Sequence, residues 1–307
     1  MTEQVYSPMT YTQDVSLVAN ISTKRIIDSY LSDKNMDVSS FFSGMDTIEL
    51  YRCNTTGFEF YWPLNLAGDD AYYQRLGSEP WYYPAERWEH MEVIRQLKNE
   101  RVLEVGCGSG AFLKNSLSRT GCIMEALELN SESVRRLQSE GLHVSEIPVE
   151  DYAAQYAGQF DIVCSFQVLE HVSKPFEFLK AQIELLKSGG KLIIGVPNND
   201  SFIGSNLHLS RILNEPPHHM GRWTLNSLQA LERVFPELKL SEVKYEPMVN
   251  SNVDIYTWNV VHRMLFKNVF LTKAFWKLKA YVPIRWIIRL FKNRIKGQTI
   301  LVTFVKQ

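Results

Sequence analysis

Val102-Leu-Glu-Val-Gly-Cys-Gly-Ser-Gly110 decides the fold: an apolar run carrying Glu104 enters a turn with glycines at 106, 108 and 110. Ala111-Phe-Leu113 then opens a helical pattern. Glycine removes the Cβ that would keep a ligand away from the backbone. A strand that turns into a helix in this way aims the first helical N–H groups and the positive dipole end at whatever binds there. A dinucleotide fingerprint wants G-x-G-x-x-G. The spacing here is G-x-G-x-G, with an acid two positions ahead of the first glycine, which argues against a nicotinamide cofactor.

The pattern extends downstream. Ile123-Met-Glu-Ala-Leu-Glu-Leu129 reads as a second strand ending at Glu128, about 20 residues past the glycines, where an acid can accept hydrogen bonds from both hydroxyls of a ribose. Val149-Glu-Asp-Tyr152 follows a third short apolar stretch. Phe160-Asp-Ile-Val-Cys-Ser-Phe-Gln-Val-Leu-Glu-His-Val172 is a fourth strand running into Leu-Glu-His-Val, and Leu186-Lys-Ser-Gly-Gly-Lys-Leu-Ile-Ile-Gly-Val-Pro-Asn198 is a glycine turn into a fifth.

On these motifs, residues 102–198 resemble the class I S-adenosylmethionine (SAM) methyltransferases, and within them the ubiquinone-biosynthesis type of O-methyltransferase. The resemblance implies SAM as cofactor and an α/β fold: a doubly wound, mostly parallel, seven-stranded Rossmann-like sheet. Around it the sequence places an N-terminal α+β cap and a helical insertion before the last strand. The implied cofactor residues are Glu104, Gly106, Cys107, Gly108 and Gly110 at the turn, and Glu128 and Leu129 at the ribose. Val149 and Glu150 border the adenine, and Phe166 and Gln167 lie at the end of strand four. The expected divisions are a cap over 1–83, a core over 84–247, an insertion over 248–297 and the closing strand over 298–307.

Composition is that of a globular chain with ample sequence for a core. The polar start, Met1-Thr-Glu-Gln-Val-Tyr6, predicts no secretory or transit signal, and no apolar run reaches the length of a transmembrane helix. The cysteines at 53, 107, 122 and 164 lack C-x-x-C spacing, so neither a disulfide framework nor a zinc site is expected; no metal is assigned. These features together point to a cytoplasmic protein. The net charge of −1 hides an asymmetry: from Ile255 to Gln307 there are eleven Lys or Arg and no Asp or Glu. Such a split points to a basic surface meeting a polyanion or an anionic membrane.

Residues 1 to about 20 are expected to be loose, followed by a short amphipathic helix over Thr23–Leu31. Thr47–Cys53 and Phe58–Trp62 alternate as two strands of a hairpin. Aromatics then gather at Tyr72, Tyr73, Trp81, Tyr82, Tyr83 and Trp88; most suit a packing cap, while Tyr82, Tyr83 and Trp88 are candidates to line an acceptor pocket. Pro84 is expected to start a helix leading into the first core strand.

After strand five, Leu213-Asn-Glu-Pro-Pro-His-His-Met-Gly-Arg-Trp-Thr224 sets two histidines on a proline-stiffened loop, with Thr224 as a helix N-cap. Histidine is the side chain poised to take a hydroxyl proton near neutral pH. His218 and His219 are therefore the main candidates for a base, with His171 third; Arg222 and Trp223 are candidates for acceptor binding. The Pro-Pro-His-His-x-x-x-Trp-Thr pattern resembles a methyltransferase subgroup of cell-surface glycan and antibiotic-sugar pathways.

Leu238–Tyr245 and Gln298–Val305 read as the last two strands. Between them, Pro283 divides a basic, aromatic insertion into two helical pieces, and 263–296 suit an anionic membrane surface. Packing on its own domain or across a dimer is the alternative; nucleic acid is not expected. Three functions compete: O-methylation of a cell-surface polysaccharide, its lipid-linked precursor or a sugar intermediate; O-methylation of a quinol-type or other small-molecule hydroxyl; and a non-catalytic, membrane-tethered SAM-binding module.

Overall fold

The computed structural model describes residues 4–79, 82–201 and 212–307. The strand ahead of the glycine turn lies inside a seven-stranded sheet. In chain order the strands among the described residues are β1 (Val15–Ser22), β2 (Thr47–Cys53), β3 (Glu59–Trp62), β4 (Arg101–Val105), β5 (Ile123–Leu127) and β6 (Val144–Ser145). They continue with β7 (Phe160–Phe166), β8 (Leu186–Pro197), β9 (Gly221–Arg222), β10 (Leu238–Pro247) and β11 (Lys296–Lys306).

The large sheet runs β10-β11-β8-β7-β4-β5-β6. β4, β5, β6, β7 and β8 are parallel, while β11 lies antiparallel between β8 and β10. The parallel strands read as near-continuous apolar runs because helices cover both faces; Val102, Leu103, Val163, Cys164, Leu192 and Ile194 are accordingly buried. The chain steps outward from β4 through β5 to β6, then returns to β7 on the other side. That reversal opens a crevice at the carboxyl ends of β4 and β7, where such sheets take ligands.

The N-terminal expectation needs correction. Residues 4–20 are not loose: Met9 and Ser7 are fully buried, and β1 pairs antiparallel with β2 from Val15↔Cys53 to Ser22↔Thr47. The predicted hairpin and the helix (Thr23–Lys34) form as expected. The small sheet, β1-β2-β3-β9, takes its fourth strand from the histidine loop, with Glu59↔Arg222 and Phe60↔Gly221 in register. The cap is thus sewn to the core by a segment that lies about 160 residues further along the chain.

Two other elements differ. The helix expected from Pro84 spans only Trp88–Ile94. The insertion forms three helices, Val253–Met264, Val269–Lys277 and Val282–Phe291, and Pro283 opens the third instead of splitting two. Proline suits that place because the first turn leaves its N–H unbonded anyway. Trp81 lies outside the described residues.

Thr224 caps the helix Leu225–Gln229: its Oγ1 accepts from Ser227 N–H, and Ser227 Oγ accepts from Thr224 N–H. Thr224→Ala is expected to cost about 1 kcal/mol of stability, read as a lower urea midpoint; an unchanged midpoint would show that the reciprocal cap contributes nothing.

Candidate active site

The crevice opens into a cavity of ≈ 1170 Å³ whose two ends carry different chemistry. This exceeds the roughly 300–1,000 Å³ usual for one small ligand, so cofactor and acceptor fit together.

At one end, β4 delivers Glu104 and the turn. Gly106 and Gly108 have φ of 77° and 52°, a region that disfavours side chains. A Cβ on Gly106 would stand 2.6 Å from Val168 Cγ2, and one on Gly108 2.7 Å from Tyr83 Cε1. Tyr83 therefore lies directly against the turn. Glu128, at the end of β5, fixes the turn from the far side: Oε2 accepts from Gly108 N–H at 2.7 Å, and Oε1 from Leu129 and Asn130 N–H at 2.8 and 2.9 Å. A carboxylate has about four lone-pair sites and these N–H groups take three, so acceptor capacity remains for one ribose hydroxyl.

Glu104 is buried with Oε2 unpaired, and burial, reinforced by the charge of Glu128, pushes its carboxyl well above the usual range. An ammonium group such as SAM carries on its methionine part would pair that oxygen and relieve the strain between the two acids. The residues present therefore fit the group. Cys107, Leu129, Val149, Glu150, Phe166 and Gln167 also line the cavity. Gly110 does not: its φ is 75°, it caps the Ala111–Arg119 helix and it packs on Leu137.

At the other end, three histidines meet. His171 comes from a single 3-10 turn after β7, and His218 and His219 from the loop that leads into β9. One ring nitrogen from each lies within 4.8 Å of the others. The His171 and His218 ring centroids are 4.6 Å apart, and those of His218 and His219 4.7 Å.

All three imidazoles are held neutral. Burial takes His171 down to about 4. Burial likewise places His218 and His219 well below the ordinary value, with each helped by repulsion from His171. Beside them Glu170 is 1% exposed with neither carboxyl oxygen paired, and burial raises it to about 8. Tyr82, Tyr83 and Trp88 line the cavity.

Two predicted residues are elsewhere. Trp223 is fully buried, its ring 4.2 Å from Phe58, and is part of the core beneath the small sheet. Arg222 pairs with Glu59 at 3.4 Å across the β3–β9 ladder. Neither lines the cavity. Arg222 ends the two-residue β9 that joins the cap and Trp223 follows it directly, so their side chains serve the ladder and the core beneath it.

Sequence reasoning missed Tyr73, Arg87 and Glu89, which all line the cavity. Glu89 is 2% exposed and accepts from Gln167 Nε2 at 3.2 Å. Nothing in the sequence distinguishes it from Glu86 or Glu92 on the same segment. Tyr73 donates its hydroxyl to the His218 carbonyl at 3.3 Å; it stood among the aromatics but read as packing.

A family model described as a methyltransferase domain matches residues 90–238. A ubiquinone biosynthesis O-methyltransferase of Xanthomonas oryzae pv. oryzae (strain PXO99A) is 32% identical over 185 residues, covering 53% of this chain and 74% of that protein. Its counterpart in Xanthomonas euvesicatoria pv. vesicatoria (strain 85-10) is 34% identical over the same shares. Among solved structures, a SAM dependent methyltransferase from Archaeoglobus fulgidus has a TM-score of 0.47 at 19% identity, covering 70% of this chain and 90% of that one.

Proposed function

We propose, for a chain that belongs to the class I SAM-dependent methyltransferases, that the acceptor is a hydroxyl of a cell-surface polysaccharide, its lipid-linked precursor or a sugar intermediate. Transfer to a hydroxyl is supported by the pairing, in one cavity, of the glycine turn and Glu128 with a histidine cluster, and the Pro216-Pro-His-His219 loop inclines the reading to a sugar. When bound, SAM supplies a methyl already activated on a sulfonium. The protein's task is then to place an acceptor oxygen in line and to ease the loss of its proton. Glu128 holds the ribose and Glu104 faces the ammonium group. The imidazoles of His171, His218 and His219, unprotonated at neutral pH, receive the acceptor hydroxyl. Tyr82, Tyr83 and Trp88 offer flat faces for a sugar ring.

A quinol-type hydroxyl is the second reading, favoured by the likeness to the Xanthomonas ubiquinone biosynthesis O-methyltransferases. Methyl-labelled SAM supplied with a membrane extract separates them. Label in the lipid-linked glycan fraction supports the first reading; label in the quinone fraction gives the case to the second.

The insertion fits an acceptor held at the inner face of a membrane. Trp286, Ile287, Leu290 and Phe291 are half or more exposed on the Val282–Phe291 helix, with Arg289 between them and Arg285, paired with Asp254, and Lys292 on either side. Phe266 is 95% and Phe270 79% exposed on the neighbouring turns. No helix among the described residues is long and apolar enough to cross a membrane. Apolar surface interleaved with cations suits an interfacial helix, worth about 1 kcal/mol per basic residue near an anionic surface. The chain is expected to sediment with phosphatidylglycerol vesicles at low salt and to be released as salt rises or by Trp286→Glu. Equal recovery with neutral vesicles would remove the electrostatic part.

A further inference from the structure

We infer that His171, His218 and His219 form a binding site for a divalent transition-metal cation, zinc(II) or cobalt(II) in chemical class, at the acceptor end of the cavity. A metal-ligating histidine usually donates its second ring N–H to a carbonyl or carboxylate, which fixes the tautomer and leaves the other nitrogen's lone pair for the metal. Two of the three rings are set in that way. His171 Nδ1 bonds to the His218 backbone carbonyl, which can only accept, so Nδ1 carries the proton and Nε2 the lone pair.

His219 is set through a relay. Asn199 Nδ2 donates to the Trp223 carbonyl at 3.0 Å, so its Oδ1 accepts from Asn214 Nδ2 at 2.8 Å. Asn214 Oδ1 is thereby turned toward His219 Nδ1, 3.0 Å away, and can only accept from it. His219 Nε2 is again left with a lone pair. The third ring, His218, is 6% exposed and keeps a buried Nδ1 with no partner.

Beside His171 lies Glu170, whose carboxyl is 4.0 Å from His171 Nε2 and has neither oxygen hydrogen-bonded. Buried acceptors gathered without donors carry the full cost of desolvation. A cation removes that cost at every one of them, and imidazole nitrogens match the first-row divalent ions. Two Zn–N bonds of about 2.0–2.1 Å at a tetrahedral angle hold the nitrogens roughly 3.3 Å apart. From 4.8 Å, side-chain shifts of about 1 Å close the site. The three rings line the cavity, which leaves the fourth position facing the acceptor. The ion's service there, orienting and polarising the acceptor hydroxyl, rests on the methyltransferase reading; its binding does not.

The test is calorimetric titration of the chelator-treated full chain with zinc(II), alongside the visible spectrum on adding cobalt(II), each with and without S-adenosylhomocysteine. One cation per chain is expected, with the intense tetrahedral cobalt bands. Affinity should fall at least roughly tenfold in His218→Ala and His219→Ala. In Asn214→Ala, which removes no ligand, it should fall about 10–100-fold, as losing an orienting partner does. Absence of saturable binding, or affinity unchanged in both histidine variants, overturns the site. Retained S-adenosylhomocysteine binding shows that each variant is folded; its loss from the unmodified chain would sink the methyltransferase reading instead.

Discussion

His219→Ala and His218→Ala should each lower kcat by about 10²–10⁴-fold, the range over which a positioned group that handles a proton contributes. Affinity for S-adenosylhomocysteine should stay within about twofold, since neither ring touches the glycine turn and effects at separated sites add. The split between kcat and cofactor binding is the informative part. His219 rests on Asn214 and His218 among Tyr72, Tyr73 and Tyr82, all at the acceptor end. Rate constants from single turnovers with labelled SAM, together with calorimetry of the product, check both halves. Two fully active variants would move the hydroxyl chemistry to Glu170 or Glu89, the remaining buried acids of the cavity.

Glu128→Ala should weaken S-adenosylhomocysteine binding by roughly 10–100-fold. Hydrogen bonds to a charged group are worth about 1.5–3 kcal/mol each, and Glu128 is placed to accept from the ribose. The substitution also releases Gly108, Leu129 and Asn130 N–H, which the carboxylate now holds. The turn loses its clamp as well as the ligand its partner, so both terms contribute to the loss. Calorimetry with the product measures it. An affinity equal to that of the unaltered chain would show that Glu128 braces the turn without meeting the ribose.

The core was legible because its signals are local. The glycines, the acid ending β5 and the apolar runs of β4, β5, β7 and β8 each lie within a few residues of the feature they specify. β1 escaped notice for a physical reason: it is an edge strand of the small sheet, Leu17 and Val18 are exposed, and its pairing with β2 shifts register between Leu17 and Ala19. Neither a buried face nor a steady alternation marks it.

β9 is two residues long and its partner lies in the cap, so Arg222 and Trp223 looked like acceptor contacts when they are structural. The histidine pair was visible on its loop, but its meeting with His171 and with unpaired Glu170 is a tertiary fact. The same holds for the Asn199–Asn214–His219 relay, whose members are unremarkable in sequence.

The β3–β9 pairing also has a consequence for the order in which the site comes into being. The turn, Glu128 and Val149 are all made within about 50 residues of one another, whereas Phe60 must wait for Gly221. At ~5–20 residues per second, roughly 8–30 s of synthesis separate the two strands. On the ribosome the first three strands of the small sheet therefore stand with the β3 edge open while the cofactor cradle is already being completed. The chain gains the parts for holding its methyl donor before it gains the place that receives the acceptor.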